Sequence, residues 1–436
     1  AVSRPDTRVG SVGVTLGVLP SFAVKQAKLP SAPAWGVAAS RGDAVFVIGG
    51  ATTPQDSGRS EQILSYAPGT DVIAVAGKLT QGLSMFAAVA PADGKVYLVK
   101  GLDKDIFYED RIQRFDPDTG KLEQVSASGL LAANRHAAVA TGPLIHIVGG
   151  YGTGPMREVI QTYDVTTQKV VTSVKASLKT VGPRTRLRAA SAPDGTIYLF
   201  GGSTKKGSKG SPTVSDAVTN EILAYDPVKQ SVTKVASLPV ALMNMAVGLL
   251  PDGKIYVVGG DTPGDAPGGT TQSDMVYAFD PATATVAAVP GLKLPHGLSG
   301  AAFAVHRENR KLYLFGGHTK SGTLSDAVLE LYPHVKQGTL RGPVIDTGGS
   351  GSSWVELSWD AKTPQGTAVA LSVRAADTVF ARDASAPAWT TVTKASPVAT
   401  GLPAGRYLQW RASLSTSSSA VTPVLERVDV TYRRQP

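Results

Sequence analysis

The sequence predicts an all-β protein: a six-bladed β-propeller closed by a strand from near the start of the chain, followed by a smaller β-sandwich. Three observations carry this. An apolar run ending in glycine recurs at residues 44–50, 95–101, 144–150, 196–202, 254–260 and 311–317, and its final glycines fall 49 to 58 residues apart. A repeat of that period built from short β runs is the mark of a propeller. The last repeat lacks a fourth strand after Tyr332, and a matching run, 22–30, stands near the beginning. Finally, composition changes after Lys336, with four of the five tryptophans (Trp354, Trp359, Trp389 and Trp410) in the last quarter.

Each repeat reads as four strands in order. The first is rich in small residues, as in 34–39, 85–90, 136–140, 187–192, 245–249 and 300–304. Alanine forms strands poorly in isolation, but it suits strands converging on a narrow axis. Turns such as Asp194–Gly195 and Asp252–Gly253 signal a hairpin into the second strand. That strand is apolar at nearly every position, as expected where neighbouring sheets cover both faces, and its closing glycines supply positive φ or room for a close approach. The third strand ends in an aromatic and a turn: Phe115–Asp116–Pro117, Tyr163–Asp164, Tyr225–Asp226–Pro227, Phe279–Asp280–Pro281, and more weakly Tyr66–Ala67–Pro68 and Tyr332–Pro333. There Asp accepts a backbone N–H and Pro presets the corner. A fourth strand follows, as in 72–76 and 232–236.

With these motifs in phase six times across 29–333, the chain resembles the kelch-repeat β-propeller family. Two departures stand out: Val72, Leu122, Val170, Val232 and Val286 replace the usual tryptophan of the fourth strand, and Lys100 replaces the first glycine of the second repeat.

The run 22–30 reads like 232–239, so residues 21–30 are expected to complete the last blade and close the ring. This gives a propeller over 1–337 and a sandwich over 338–436. In the second domain, strand-like runs at 343–346, 353–359, 368–374, 389–393, 407–415 and 423–432 are separated by Gly, Ser, Pro and Asp turns. The segments Ile345–Asp346–Thr347–Gly348, 354–359, 366–369, 406–411 and 422–425 resemble a sandwich module recurrent in secreted bacterial proteins, and the resemblance implies export. Period two places Leu408, Trp410 and Ala412 on one face and, with Val355 and Leu357, Trp359 in the core. Trp354 and Trp389 fall on the other face or in turns, where they are either edge packing or a glycan platform.

The formal charge is +9 in 436 residues, of which only 18% are charged. That is a mildly basic surface without the dense Lys/Arg stripe of a nucleic-acid binder. The absence of cysteine excludes disulfides, thiolate metal sites and a thiol nucleophile. It also closes the copper route that the resemblance implies for sugar-oxidising kelch propellers, which need a modified cysteine. The six histidines show no paired metal-ligand spacing, and no nucleophile elbow, P-loop or dinucleotide fingerprint is present. No catalytic residue, metal or cofactor is therefore assigned. The longest apolar stretch near the start, 12–24, is broken by Gly17, Pro20 and Ser21 and is too short to span a bilayer. No signal-peptide pattern is visible at Ala1, and the composition tilts toward an exported, processed chain.

The loops into the first strands and out of the second strands share one face. They carry Arg135, His136, Arg184, Arg186 and Arg188 from the third and fourth repeats, with Tyr151, Asp261, His318 and Lys320 after the glycine pairs. The insertions 203–220, with Lys205, Lys206 and Lys209, and 261–274 emerge there too. Long loops on a rigid scaffold commonly carry binding. The expected function is non-catalytic binding or adhesion at a cell surface or outside it. The funnel would take an anionic glycan or an acidic protein segment, unless these side chains are solvated rim or inter-blade ion pairs. Two alternatives stand beside this: a structural subunit of a surface assembly, formed by self-association, and a mutarotase-like or lyase-like sugar enzyme using the funnel.

Overall fold

The computed structural model describes residues 6–15, 21–103, 108–131, 133–152, 156–179, 181–204, 217–264, 269–332, 337–350, 353–393, 396–399, 401–416 and 423–433. Every named element among them is a β-strand, and the contacts divide the chain into two units, 21–332 and 1–20 with 333–436.

The larger unit contains six four-stranded antiparallel sheets among its described residues. Their first strands, Val37–Arg41, Ala87–Val89, Ala137–Thr141, Arg188–Ser191, Ala246–Leu249 and Ala302–Val305, lie side by side in a closed circuit. Burial grades outward from there. Second strands such as Ile197–Phe200, Ile255–Val258 and Leu312–Phe315 are buried at every residue. Third strands such as Gln62–Ala67 mix buried and half-buried residues, and fourth strands such as Val72–Lys78 are mostly exposed. A strand pressed between two neighbouring sheets has no wet face, whereas the outermost has one. The aromatics before the Asp turns, Phe115, Tyr163 and Phe279, are fully buried, as is Tyr66 before Ala67. Their aspartates cap the turns: Asp226 accepts the N–H of Val228 at 3.0 Å, and Asp280 that of Ala282 at 3.0 Å.

Glycine pairs stitch five of the sheets to the next. The second glycine donates its N–H across the gap, as in Gly202 to the Leu242 carbonyl (2.8 Å) and Gly317 to that of Pro33 (2.8 Å). The first makes room for that carbonyl: a Cβ on Gly201 would stand 2.1 Å from the Leu242 oxygen, at a φ of +51°. No side chain fits there.

The sixth sheet takes its fourth strand from the start of the unit. Ser21–Lys28 pairs with Ala327–Tyr332, with Val24 opposite Leu329. Asp71 of the first sheet reaches across and accepts the N–H groups of Gln26 (2.9 Å) and Ala27 (3.4 Å), while Tyr66 donates to its other oxygen at 2.9 Å.

The smaller unit holds a three-stranded sheet, Asp6–Thr15, Val424–Arg433 and Ser353–Lys362. A five-stranded one is built around Thr367–Ala376 and Tyr407–Thr416. One core draws on both: Leu357, Leu425, Val428, Val430 and Tyr432 from the first, and Leu371, Val373, Leu408, Trp410, Ala412 and Leu414 from the second. Trp359 packs against it. The expected domain 1–337 is corrected at both ends. Asp6–Thr15 pairs with Val424–Arg433, Asp6 facing Tyr432, and Gln337–Arg341 pairs with Tyr407–Thr416.

His146 occupies the position held by Phe46, Tyr97, Tyr198, Tyr256 and Tyr313 in the other sheets. It is 2% exposed, between the hydroxyls of Thr141 (2.8 Å) and Thr162 (3.2 Å). Burial pushes its pKa down to about 4. The unfolded chain binds this proton below about 6.5 while the folded chain refuses it, so stability falls as the pH drops from about 6.5 toward 4. Over that window the parent is expected to lose about 3 kcal/mol more than His146→Phe. Parallel denaturant titrations at both pH values check this, and equal losses would remove His146 as the cause.

Candidate functional site

One residue from each sheet, two positions before its first strand, sits in the left-handed region: Trp35 (φ 56°), Met85 (56°), Arg135 (55°), Arg186 (58°), Asn244 (53°) and Gly300 (60°). They are linked head to tail by backbone hydrogen bonds. Trp35 N–H donates to Gly300 (2.7 Å), Met85 to Trp35 (2.9 Å) and Arg135 to Met85 (2.9 Å). Arg186 donates to Arg135 (2.7 Å), Asn244 to Arg186 (3.0 Å), and Gly300 to Asn244 (2.9 Å), which closes the ring. A non-glycine residue in this conformation costs on the order of 1 kcal/mol or more. Here the closed circuit fixes it, and glycine at position 300 is the unstrained solution.

Inside this ring lies a cavity of about 280 Å³. The side chains of Trp35, Met85, Arg135, Arg186 and Asn244 line it, with the alanines of the first strands below and His136, Arg188, Asp261, Phe303 and His318 around it. The Trp35 indole overlies the sixth position, where a Cβ on Gly300 would stand 2.6 Å from the indole Cδ1 and Nε1. His318 stacks on Trp35 with centroids 5.9 Å apart and planes inclined by 21°.

The guanidinium groups differ in their engagement. Arg135 donates to Asn134 Oδ1 at 2.9 Å and to the Tyr151 hydroxyl, and lies 5.3 Å from the centre of the Tyr151 ring. Arg188 donates to the Leu187 carbonyl (3.1 Å) and lies 5.8 Å from the Phe303 ring centre. Arg186 Nη1 is buried with no hydrogen-bond partner. Burial lowers the pKa of Arg186 to about 10, with the neighbouring Arg135 adding to the shift. Burial likewise lowers Arg188 to about 10. Both remain charged at neutral pH. Asp261, the one carboxylate among the described lining residues, accepts from Asn244 Nδ2 (2.8 Å) and Gln272 Nε2 (2.9 Å), one bond to each oxygen.

Of the residues singled out from the sequence, the cavity gathers Arg135, His136, Arg186, Arg188, Asp261 and His318. Tyr151 is buried behind Arg135. Arg184 differs from expectation: it is fully buried, ion-paired with Glu221, and donates to the Val181 carbonyl at 3.1 Å, an internal brace rather than a funnel residue. Lys320 is exposed on its loop and does not line the cavity. In the other unit Trp389 has the guanidinium groups of Arg374 and Arg411 at 4.5 and 4.6 Å from its ring centre, so the ring is already engaged by cations. The Trp354 side chain and Lys205, Lys206 and Lys209 lie outside the described residues. Sequence reasoning missed Trp35, Met85, Asn244 and Phe303. Aligning the six repeats two residues before each first strand finds the first three, but nothing local signals their conformation.

No family model matches the chain. It is 27% identical to beta-scruin of Limulus polyphemus over 201 residues, 44% of this chain and 20% of that protein. It is 28% identical to alpha-scruin of the same organism over 212 residues, 45% of this chain and again 20% of the relative. The match thus spans about a fifth of these relatives' length. Among solved structures, that titled "Structure of YjhT" superimposes with a TM-score of 0.56 at 13% identity, covering 69% of this chain and 95% of that one. No helix among the described residues is long and apolar enough to cross a membrane. The chain is thus similar to kelch-repeat proteins, and it shares its all-β fold with a kelch-type propeller.

Proposed function

We propose that the chain is a six-bladed kelch-like propeller joined to a β-sandwich module. It acts without catalysis as an exported or surface-exposed binding protein whose funnel receives an anionic group of a glycan or protein partner. The observation that carries this is the set of three arginines around one cavity, with Arg186 Nη1 buried and unpartnered. A buried donor without an acceptor costs about 1–3 kcal/mol, more for a charged group, and an incoming anion relieves that cost. The loose kinship with kelch-repeat proteins supports a binding scaffold.

The test is a glycan array and a pull-down run with the parent and with Arg186→Asn/Arg188→Ala. Asparagine suits position 186 because Asn244 holds the same conformation in the next sheet. Partners retained by the parent are expected to be lost by the double variant. An identical set of partners for both proteins would end the funnel reading.

A further inference from the structure

We propose that the ligand of this funnel is a small aromatic monocarboxylate, its carboxylate held by Arg186 and its flat ring lying against Trp35. This ligand class rests on the anion-binding funnel proposed above, with a small molecule in place of the glycan or protein partner.

The unengaged donors, rather than the charges, set the number of anionic groups. Arg135 is committed to Tyr151 and Asn134, and Arg188 to the Leu187 carbonyl and the Phe303 ring. Arg186 keeps a buried Nη1 without a partner, in a site where the nearest carboxylate, Asp261, has both oxygens bonded elsewhere. A guanidinium presents a planar fork matched to a carboxylate. One open buried donor reads one anionic group, and a carboxylate suits it.

The body of the ligand follows from what remains bare. Trp35 holds a bulky ring in a backbone conformation that favours glycine, and residue 300 has given up its side chain where that ring lies. His318 stacks on the indole and fixes its plane. Met85, Met243 and Phe303 add apolar and polarizable surface to the walls, which suits aromatic rings. Size points the same way. At about 280 Å³ the cavity lies just below the ~300–1,000 Å³ of sites for drug-sized molecules, which leaves no room for an extended acidic peptide.

The experiment is calorimetric titration of the whole chain with 1-naphthoate, glucuronate and a glutamate-rich peptide, repeated on Arg186→Asn and Trp35→Asn. Naphthoate is expected to bind at least tenfold more tightly than the other two, and each variant to weaken it at least tenfold. Heat denaturation of each variant shows that it folds; should Trp35→Asn fail to fold, Trp35→Met takes its place, with Met85 of the next sheet as its precedent. Tighter binding of glucuronate or of the peptide overturns the aromatic ligand while leaving the anion-binding funnel standing. Unchanged naphthoate affinity in Trp35→Asn likewise overturns it. Binding of none of the three overturns both readings.

Discussion

A chain beginning at residue 30 is expected not to fold. It lacks Ser21–Lys28, so the sixth sheet is left with three strands and an open edge at Ala327–Tyr332. Leu29, 4% exposed in the core with Val45, Tyr66, Tyr313 and Phe315, goes with it. That burial alone is worth about 2–5 kcal/mol. Asp71 loses the two amides it accepts, and Lys25 and Lys28 leave Glu330 and Asp326. Burial alone would raise the Glu330 carboxyl, but bonds from Lys311 and Tyr313 and the charge of Lys25 hold it below its usual value. Together these losses rival the whole ~5–15 kcal/mol of a typical domain, and the unpaired edge invites aggregation. Circular dichroism and size-exclusion chromatography decide the matter. A truncated protein with the parent's melting temperature would refute closure by this strand.

Arg186→Met is expected to melt higher than the parent while losing its anionic ligand. Methionine fits the position, since Met85 holds the same conformation two sheets earlier. The parent keeps a cation there that burial, first, and Arg135 disfavour by more than Tyr151 and Asp261 favour it. Replacing such a charge with an apolar side chain commonly stabilises by roughly 1–3 kcal/mol, or several degrees in melting temperature. The sign with pH is fixed as well. Below about 10 both folded and unfolded chains carry the proton, so the penalty is constant. Above it the folded parent sheds the proton first, its stability rises with pH, and the advantage of the variant shrinks. Loss of the anion should be at least thirtyfold in affinity, since charge-assisted bonds of this kind are worth about 2–3 kcal/mol. A variant that melts below the parent would show that Arg186 is satisfied in the free protein.

Much of the fold is legible because its determinants are local and repeated. The Gly–Gly and aromatic–Asp pairs each solve a steric or hydrogen-bonding problem that recurs in most of the sheets. The strand Asp6–Thr15 is not legible in the same way. Gly10 and Gly13 weaken its strand pattern, and its partner, Val424–Arg433, lies at the far end of the chain. The site divides similarly. Arg135, Arg186 and Arg188 announce themselves by charge and by their place just before or at the start of the first strands. Arg184, only two residues from Arg186, would share its side in a regular strand. The positive φ at Arg186 breaks that period and leaves Arg184 against Glu221. Trp35, Met85 and Asn244 owe their inward position to the ring of backbone bonds, which exists only once all the sheets are assembled.

The pairing of Asp6–Thr15 with Val424–Arg433 has a mechanical consequence. Asp6 faces Tyr432 and Thr15 faces Val424, so the outer ends of both strands emerge side by side. Tension applied at those ends loads the hydrogen bonds one after another, in the manner of a zipper. The stretch 21–332, threaded between the two strands in the chain, feels no pull until the zipper has opened.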